Sequence, residues 1–411
     1  MVKIQCEQAK AAASMIRSLS TAVKNDALAA IITGLRDTKS DLIAANQADY
    51  NAGVAAGLSK ALLDRLQLTP ARFEGMLAGL QTLINLPDPV GVHRTGVTRP
   101  NGLHIYQKTV PLGVIGIIYE ARPTVTVDAI GLALKSGNAL VLRGSRSAHN
   151  TNQALVSCVT HVLAACENLK KFENSIQLLS DTSRESVGVF LQQRASITVM
   201  IPRGSADLIQ RVVTEATMPV IETGAGICHI YIDDSAPLDM ACEISINAKV
   251  SRPSVCNACE TLLIHENWPG LAVLIQALRA HNVRLYGCAG IQAQYPEILP
   301  VTNWSHEYLD LAVSLKLVPS VSDAIGHINQ YGSQHSDGII STTYQSIQDF
   351  IQGVDTACVL INASTRFTDG GEFGFGTEMG IATQKLHVRG PVGLQHLVST
   401  QYIIEGTGQV R

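Results

Sequence analysis

The chain has 411 residues, of which 46% are hydrophobic, 16% charged and 5% aromatic. That length exceeds one ordinary core and suits two or three domains. With 31 basic and 34 acidic residues the net charge is −3, which gives no electrostatic footprint for a nucleic acid or an anionic membrane surface.

Residues 1–90 read as helical. Apolar residues recur at three- and four-residue spacing over 9–19 and 24–35. Asn85-Leu86-Pro87-Asp88-Pro89 breaks that pattern. A turn-rich stretch, 95–102, is followed by strand-like alternation over 103–110, which predicts an extended hairpin over 94–110.

From Pro111 a strand–helix rhythm begins. It predicts strand 114–118, helix 124–135 ended at Gly137, and strand 139–142. Helices over 150–166, 184–194 and 205–215 then alternate with strands over 176–179, 197–201 and 218–222. A second series follows, with strands over 228–232, 260–264, 283–286, 311–318, 338–341 and 357–361. Its helices are predicted over 237–249, 269–280, 321–331 and 344–353. A glycine-rich stretch runs from Thr368 to Gly380, and 397–404 is β-like again. The class is α/β, with two lobes built on parallel sheets. The hairpin and the last strand are left over and want a partner edge, which another subunit would provide.

Nine cysteines are scattered along the chain. Their odd number argues for a reducing cytosol over a secreted disulfide framework. The first residues lack a signal-peptide core, and no apolar run reaches the ~18 residues of a membrane span. No G-x-G-x-x-G or Walker A motif is present. Leu142-Arg143-Gly144-Ser145-Arg146-Ser147 follows a strand, where open α/β sheets bind ligands, so it is either a phosphate loop or a solvated basic loop.

Cys256 has Arg252 and Asn257 as neighbours and lies in a segment joining a helix to a strand. It is either a nucleophile or one more core cysteine. Cys256 and Cys259 form a C-x-x-C, but no second pair would complete a zinc site, and no metal is expected. His229, His335 and His387 read as structural residues, and Asp369 to Gly376 as either a mobile loop or a tight surface crossing.

Several segments carry a resemblance. They include Val110 to Gly116 leading into Tyr119-Glu120-Ala121-Arg122-Pro123, Ile201-Pro202-Arg203-Gly204, and Asn247-Ala248-Lys249 ahead of Arg252-Pro253-Ser254-Val255-Cys256-Asn257. Ile227-Cys228-His229-Ile230-Tyr231, Gln334-His335-Ser336-Asp337, Asn362 to Gly371 and Thr383-Gln384-Lys385-Leu386-His387 complete the set. In this order they resemble the gamma-glutamyl phosphate reductase family of the aldehyde dehydrogenase superfamily.

The resemblance implies an aldehyde dehydrogenase-like fold with two Rossmann-like domains and a β-hairpin oligomerisation flap. The NADPH-binding domain would span 1–93 and 111–226, with 362–395 returning to it and a five-stranded parallel core. The catalytic domain would span 227–361, and the flap 94–110 and 396–411. It implies a cytoplasmic, monofunctional enzyme that reduces L-glutamyl 5-phosphate to L-glutamate 5-semialdehyde, the second step of proline synthesis from glutamate. A homo-oligomer, dimer or higher, and contact with glutamate 5-kinase belong to the same expectation.

Residue by residue, the nucleophile falls on Cys256 and the ribose-binding carboxylate on Glu307. Arg143 and Arg146 stand where the wider superfamily has Lys and an acid, which favours the 2′-phosphate of NADPH; Gly144 and Ser145 belong to the same loop. Arg252, Asn257 and Arg366 are expected at the substrate. Ala121 replaces the superfamily's oxyanion Asn. Glu222 lies where hydrolytic relatives keep a base, and Cys259 replaces an apolar residue.

Overall fold

In the computed structural model, which describes residues 1–411, the chain opens on five helices. These are α1 (Val2–Ile16), α2 (Thr21–Asp37), α3 (Lys39–Ala55), α4 (Lys60–Leu66) and α5 (Pro70–Asn85). Ser20, Ser59 and Thr69 cap α2, α4 and α5 by accepting the N–H three residues on. Helix α3 shows no apolar stripe in the sequence because its buried positions include Asn46 and Asp49. Those side chains are satisfied: Asn46 Oδ1 accepts the Leu68 N–H, and Asp49 Oδ2 accepts from Thr151 N and Oγ1.

The hairpin is β1 (His93–Thr98) and β2 (His104–Pro111). Then come β3 (Val114–Tyr119), α6 (Pro123–Lys135), β4 (Ala139–Gly144), α7 (His149–Ala165), β5 (Ile176–Leu178), α8 (Arg184–Leu191), β6 (Val199–Arg203) and α9 (Ala206–Glu215). The second series is β7 (Cys228–Ile232), α10 (Leu238–Val250), β8 (Cys259–His265), α11 (Leu271–Ala280), β9 (Arg284–Gly287), α12 (Ala289–Gln294) and β10 (Leu299–Pro300). It continues with β11 (Ala312–Val318), α13 (Val321–Tyr331), β12 (Ser336–Ile340), α14 (Tyr344–Gly353) and β13 (Cys358–Ile361). Two short strands, β14 (Ile381–Ala382) and β15 (Gly390–Pro391), precede β16 (Val398–Glu405).

The chain forms two compact units. One comprises 1–222, 374–380 and 392–411; the other comprises 223–373 and 381–391. The return expected over 362–395 is therefore divided, with 362–373 and 381–391 belonging to the second unit.

The first unit holds a parallel sheet in the order β5-β4-β3-β6. All six residues of β3 are buried, as its apolar run requires. The sheet has four strands, not the expected five. At 218–222 only a bridge forms, between Val220 and Met200. Pro219 there has a carbonyl to accept the Met200 N–H but no N–H to continue a ladder.

A second, antiparallel sheet has the order β1-β2-β16. The two spare strands thus partner each other within the chain, with Val398 to Glu405 lying along Pro111 to His104. The open edges are β1, exposed throughout, and β16, which exposes Tyr402 and Ile404.

The second unit is built on a seven-stranded sheet, β10-β9-β11-β8-β7-β12-β13, parallel at every pairing. Alternate residues enter different cores, as the two-residue period demands. Ile230, Ile232, Leu262 and Ile264 pack with Ala241 of α10 and with Leu274 and Leu278 of α11. Tyr231, Leu263 and Ile339 pack with Ala324 and Ile328 of α13 and with Phe350 of α14.

His327 on α13 sits in this layer, 3% exposed, and its Nδ1 accepts from Lys316 Nζ at 2.8 Å. Burial, then His229 and Lys316, push its pKa from 6.5 down to about 3. The depressed pKa leaves both states neutral above pH 6.5. As pH falls below that, the unfolded chain takes up a proton that the fold refuses. Stability is therefore expected to fall between pH 6.5 and 3 by up to about 4 kcal/mol from this group. Urea unfolding against pH should show the slope, and His327→Gln should flatten it.

Candidate active site

Helix α10 ends at Val250 and β8 begins at Cys259, so the Cys256 motif fills the crossing at the carboxyl end of α10. The Ala258 N–H donates to Val255 O at 3.1 Å, closing a turn with Cys256 and Asn257 at its centre. Cys256 is half-buried, whereas Cys228 and Cys259 beside it are fully buried. The Cys228 thiol donates to Cys256 O at 3.2 Å. Burial raises that thiol well above its usual value, with Asp337 adding to the effect. Cys259 donates to Thr261 O, and burial pushes it to about 12. The C-x-x-C therefore holds one half-exposed thiol and one inert one.

The main chain of Cys256 rests on Gly226. A Cβ there would fall on the Cα, carbonyl carbon and oxygen of Cys256. The Gly226 N–H donates to Glu307 Oε1 at 2.9 Å, so the glycine also ties Glu307 to the Cys256 turn. Sequence reasoning passed over Gly226. Its signal was Gly224-Ala225-Gly226 directly ahead of a strand, a spacing that marks close backbone approach.

Asn257 is buried, and its amide makes protein contacts. Its Nδ2 donates to Thr368 O at 2.9 Å and to Arg366 O at 3.4 Å. Its Oδ1 accepts from Arg366 Nη1, and Arg366 Nε donates to Ser251 Oγ at 3.2 Å. Ser364 caps the short helical turn Thr365–Phe367 that carries Arg366. Thr368 in turn meets Ser336 Oγ at 2.8 Å, and Ser336 meets His335 Nδ1 at 2.9 Å. Asn257 thus clips the Cys256 turn to the 364–368 segment and orients the Arg366 guanidinium. Arg252 is half-buried at the start of the same crossing.

In the first unit, Arg143 and Gly144 end β4, and Ser145 and Arg146 lead towards α7. Arg143 Nη2 donates to Thr182 O at 2.7 Å and Ser183 O at 3.2 Å, while its Nε is buried with no hydrogen-bond partner. Burial lowers its pKa, against the pull of Asp181. A half-buried guanidinium whose Nε has no partner is a group that an anion would complete. Gly144 is required by packing, since a Cβ would strike the Asn152 amide. The Ser145 hydroxyl accepts the Ala121 N–H at 3.1 Å and lies 2.8 Å from Ser147 Oγ. Ala121 holds φ +23° there, a strained value for a residue with a Cβ, at the junction of β3 and α6. Arg146 is exposed.

No helix is long and apolar enough to cross a membrane. No family model matches the chain. Over 411 residues it is 50% identical to a gamma-glutamyl phosphate reductase of Halalkalibacterium halodurans, covering 99% of this chain and 98% of that one. The Moorella thermoacetica reductase is also 50% identical, over 414 residues, covering 100% and 98%. The crystal structure of the Thermotoga maritima gamma-glutamyl phosphate reductase superposes with a TM-score of 0.93 at 40% identity, covering 100% of this chain and 99% of that one. An acetylating aldehyde dehydrogenase of Geobacillus thermoglucosidasius shares the fold, with a TM-score of 0.74 at 14% identity and coverage of 100% and 97%. The chain belongs to the gamma-glutamyl phosphate reductases, oxidoreductases of proline biosynthesis (EC 1.2.1.41) built on the aldehyde dehydrogenase fold.

Proposed function

We propose that the chain reduces L-glutamyl 5-phosphate to L-glutamate 5-semialdehyde and phosphate through a thioester on Cys256, with NADPH as reductant. The observation that carries the nucleophile assignment is the contrast among three adjacent cysteines. Only Cys256 is half-exposed, and it sits on a turn braced from below by Gly226.

The Cys256 thiolate attacks the acyl carbonyl, a C–S bond forms, and the C–O bond to phosphate breaks. Phosphate leaves as an anion and needs little acid assistance. NADPH, when bound, supplies the hydride that takes the acyl group to the aldehyde level. Breakage of the C–S bond then frees the semialdehyde and returns Cys256. The oxyanion is held by the Cys256 backbone N–H and by a second donor from the chain. Arg252 and Arg366 take the substrate's carboxylate and phosphate, with Asn257 holding Arg366 in register.

The residues present fit a cofactor bearing phosphate. Arg143 Nε lacks a partner, and Arg146 is exposed further along the same loop. Ser145 contributes by fixing the strained Ala121 turn. Glu307 accepts from the ribose. The open strand edges with Tyr402 and Ile404 exposed favour a homo-oligomer, dimer or higher. The lability of an acyl phosphate favours its delivery by contact with glutamate 5-kinase. A reducing cytoplasm is the proposed setting, one in which the Cys256 thiol stays free to react.

The reverse assay tests the reaction. With semialdehyde, NADP⁺ and phosphate, NADPH should form; without phosphate it should not. Phosphate-independent production of glutamate would make the enzyme a hydrolytic dehydrogenase, with Glu222 as its base. Parallel forward assays should give a larger kcat/KM with NADPH than with NADH.

A further inference from the structure

Lys249 and Glu260 form an ion pair at 2.7 Å in which neither side chain is exposed. No step above uses either residue. An ion pair at such depth loses its hydration, and apolar residues of the same size would serve stability as well or better. The pair's remaining hydrogen bonds all lead to one place. Lys249 Nζ donates to Asp310 O at 3.3 Å, and Glu260 Oε1 accepts the Leu309 N–H at 3.4 Å. A carbonyl and an N–H side by side on one loop are matched by an ammonium beside a carboxylate.

That loop is held in an unusual shape. Leu309 has φ +52°, a left-handed conformation that a leucine keeps only where its surroundings impose it. Two residues earlier the loop carries Glu307, whose Oε1 accepts the Gly226 N–H at 2.9 Å. Glu307 is close enough to Glu260 to help raise its pKa, after burial and against the pull of Lys249.

We propose that the Lys249–Glu260 pair is a positioning device for the cofactor, locking the 307–310 loop so that Glu307 presents its carboxylate to the ribose. This rests on the assignment of Glu307 to the ribose. The pair touches neither cofactor nor substrate. Its effect is therefore expected in cofactor affinity and not in the chemical step.

The test is the double variant Lys249→Met/Glu260→Leu in the full chain, which removes both charges together and so avoids a buried unpaired one. Its Kd for NADPH, read by nucleotide fluorescence without substrate, should rise about tenfold, the scale of a displaced supporting contact. The kcat at saturating NADPH should stay within about threefold, and amide exchange at Leu309 should accelerate. Leu309→Gly, which relaxes the same loop and leaves the pair intact, provides a second route should the double variant not fold. It too should weaken NADPH with kcat retained.

Glu307→Gln separates the two claims. If it weakens NADPH while the double variant and Leu309→Gly bind within twofold of the parent, the positioning role is overturned and the ribose assignment stands. If Glu307→Gln binds NADPH as the parent does, the ribose assignment falls and the proposal falls with it. A loss confined to kcat in the double variant would also overturn the proposal.

Discussion

Cys256→Ala should lower turnover by at least about 10⁴-fold, the scale seen when a covalent nucleophile is removed, while the fold and the NADPH Kd stay at parental values. The size of the effect follows from the absence of a substitute. Cys228 is the nearest thiol by hydrogen bonding, but it is fully buried, is raised well above its usual pKa by burial, and is spent on the Cys256 carbonyl. Cys259 is buried at the start of β8 and raised to about 12. Neither supplies thiolate near neutral pH. Limited iodoacetamide followed by peptide mass spectrometry should modify Cys256 ahead of Cys228 and Cys259, with activity lost in step. A Cys256→Ala enzyme turning over within tenfold of the parent would sink the nucleophile assignment.

Gly226→Ala is expected to cost at least about 100-fold in kcat, since displacements of an ångström at a reacting group have that effect. The added methyl would meet the backbone of Cys256 itself, its Cα, carbonyl carbon and oxygen, and a backbone cannot rotate away as a side chain does. The turn has to shift, carrying the thiol with it and breaking the register with Glu307. Overpacking of this kind also destabilises by roughly 1–3 kcal/mol. Gly224→Ala is the matched comparison. The atoms nearest its Cβ all belong to the Thr383 side chain, which can rotate, so a smaller loss is expected. Steady-state kinetics and urea unfolding of both variants decide the matter. Equal activities would show that the Cys256 turn tolerates displacement.

The helices and strands were legible wherever burial is apolar and periodic. The run Val114 to Ile118 and the helix over 321–331 are of that kind, and they form as expected. Helix α12 was not foreseen, because six residues are too few to show a helical period. The expected strand at 218–222 was reduced to a bridge by the missing N–H of Pro219. At the site, the Cys256 motif was visible because its residues are contiguous. The pairing of Lys249 with Glu260 was not, since nothing in the sequence of α10 or of β8 marks these two charges as partners and they meet only when the two elements fold back on one another. Asn257 is expected at the substrate, and nothing local in the sequence reveals that its amide also bonds Thr368 and Arg366.

The pairing of β16 with β2 sets the order in which the protein can be made. Strand β2 leaves the ribosome long before its partner strand, Val398 to Glu405. The first unit needs 374–380 and 392–411 to be complete, whereas the second is nearly one continuous stretch. During synthesis the second unit can close first, while β2 waits with one edge bare. Contacts of such sequence separation form slowly, and waiting strand edges are where chains aggregate. Refolding yield should therefore be governed by this late closure more than by either parallel sheet.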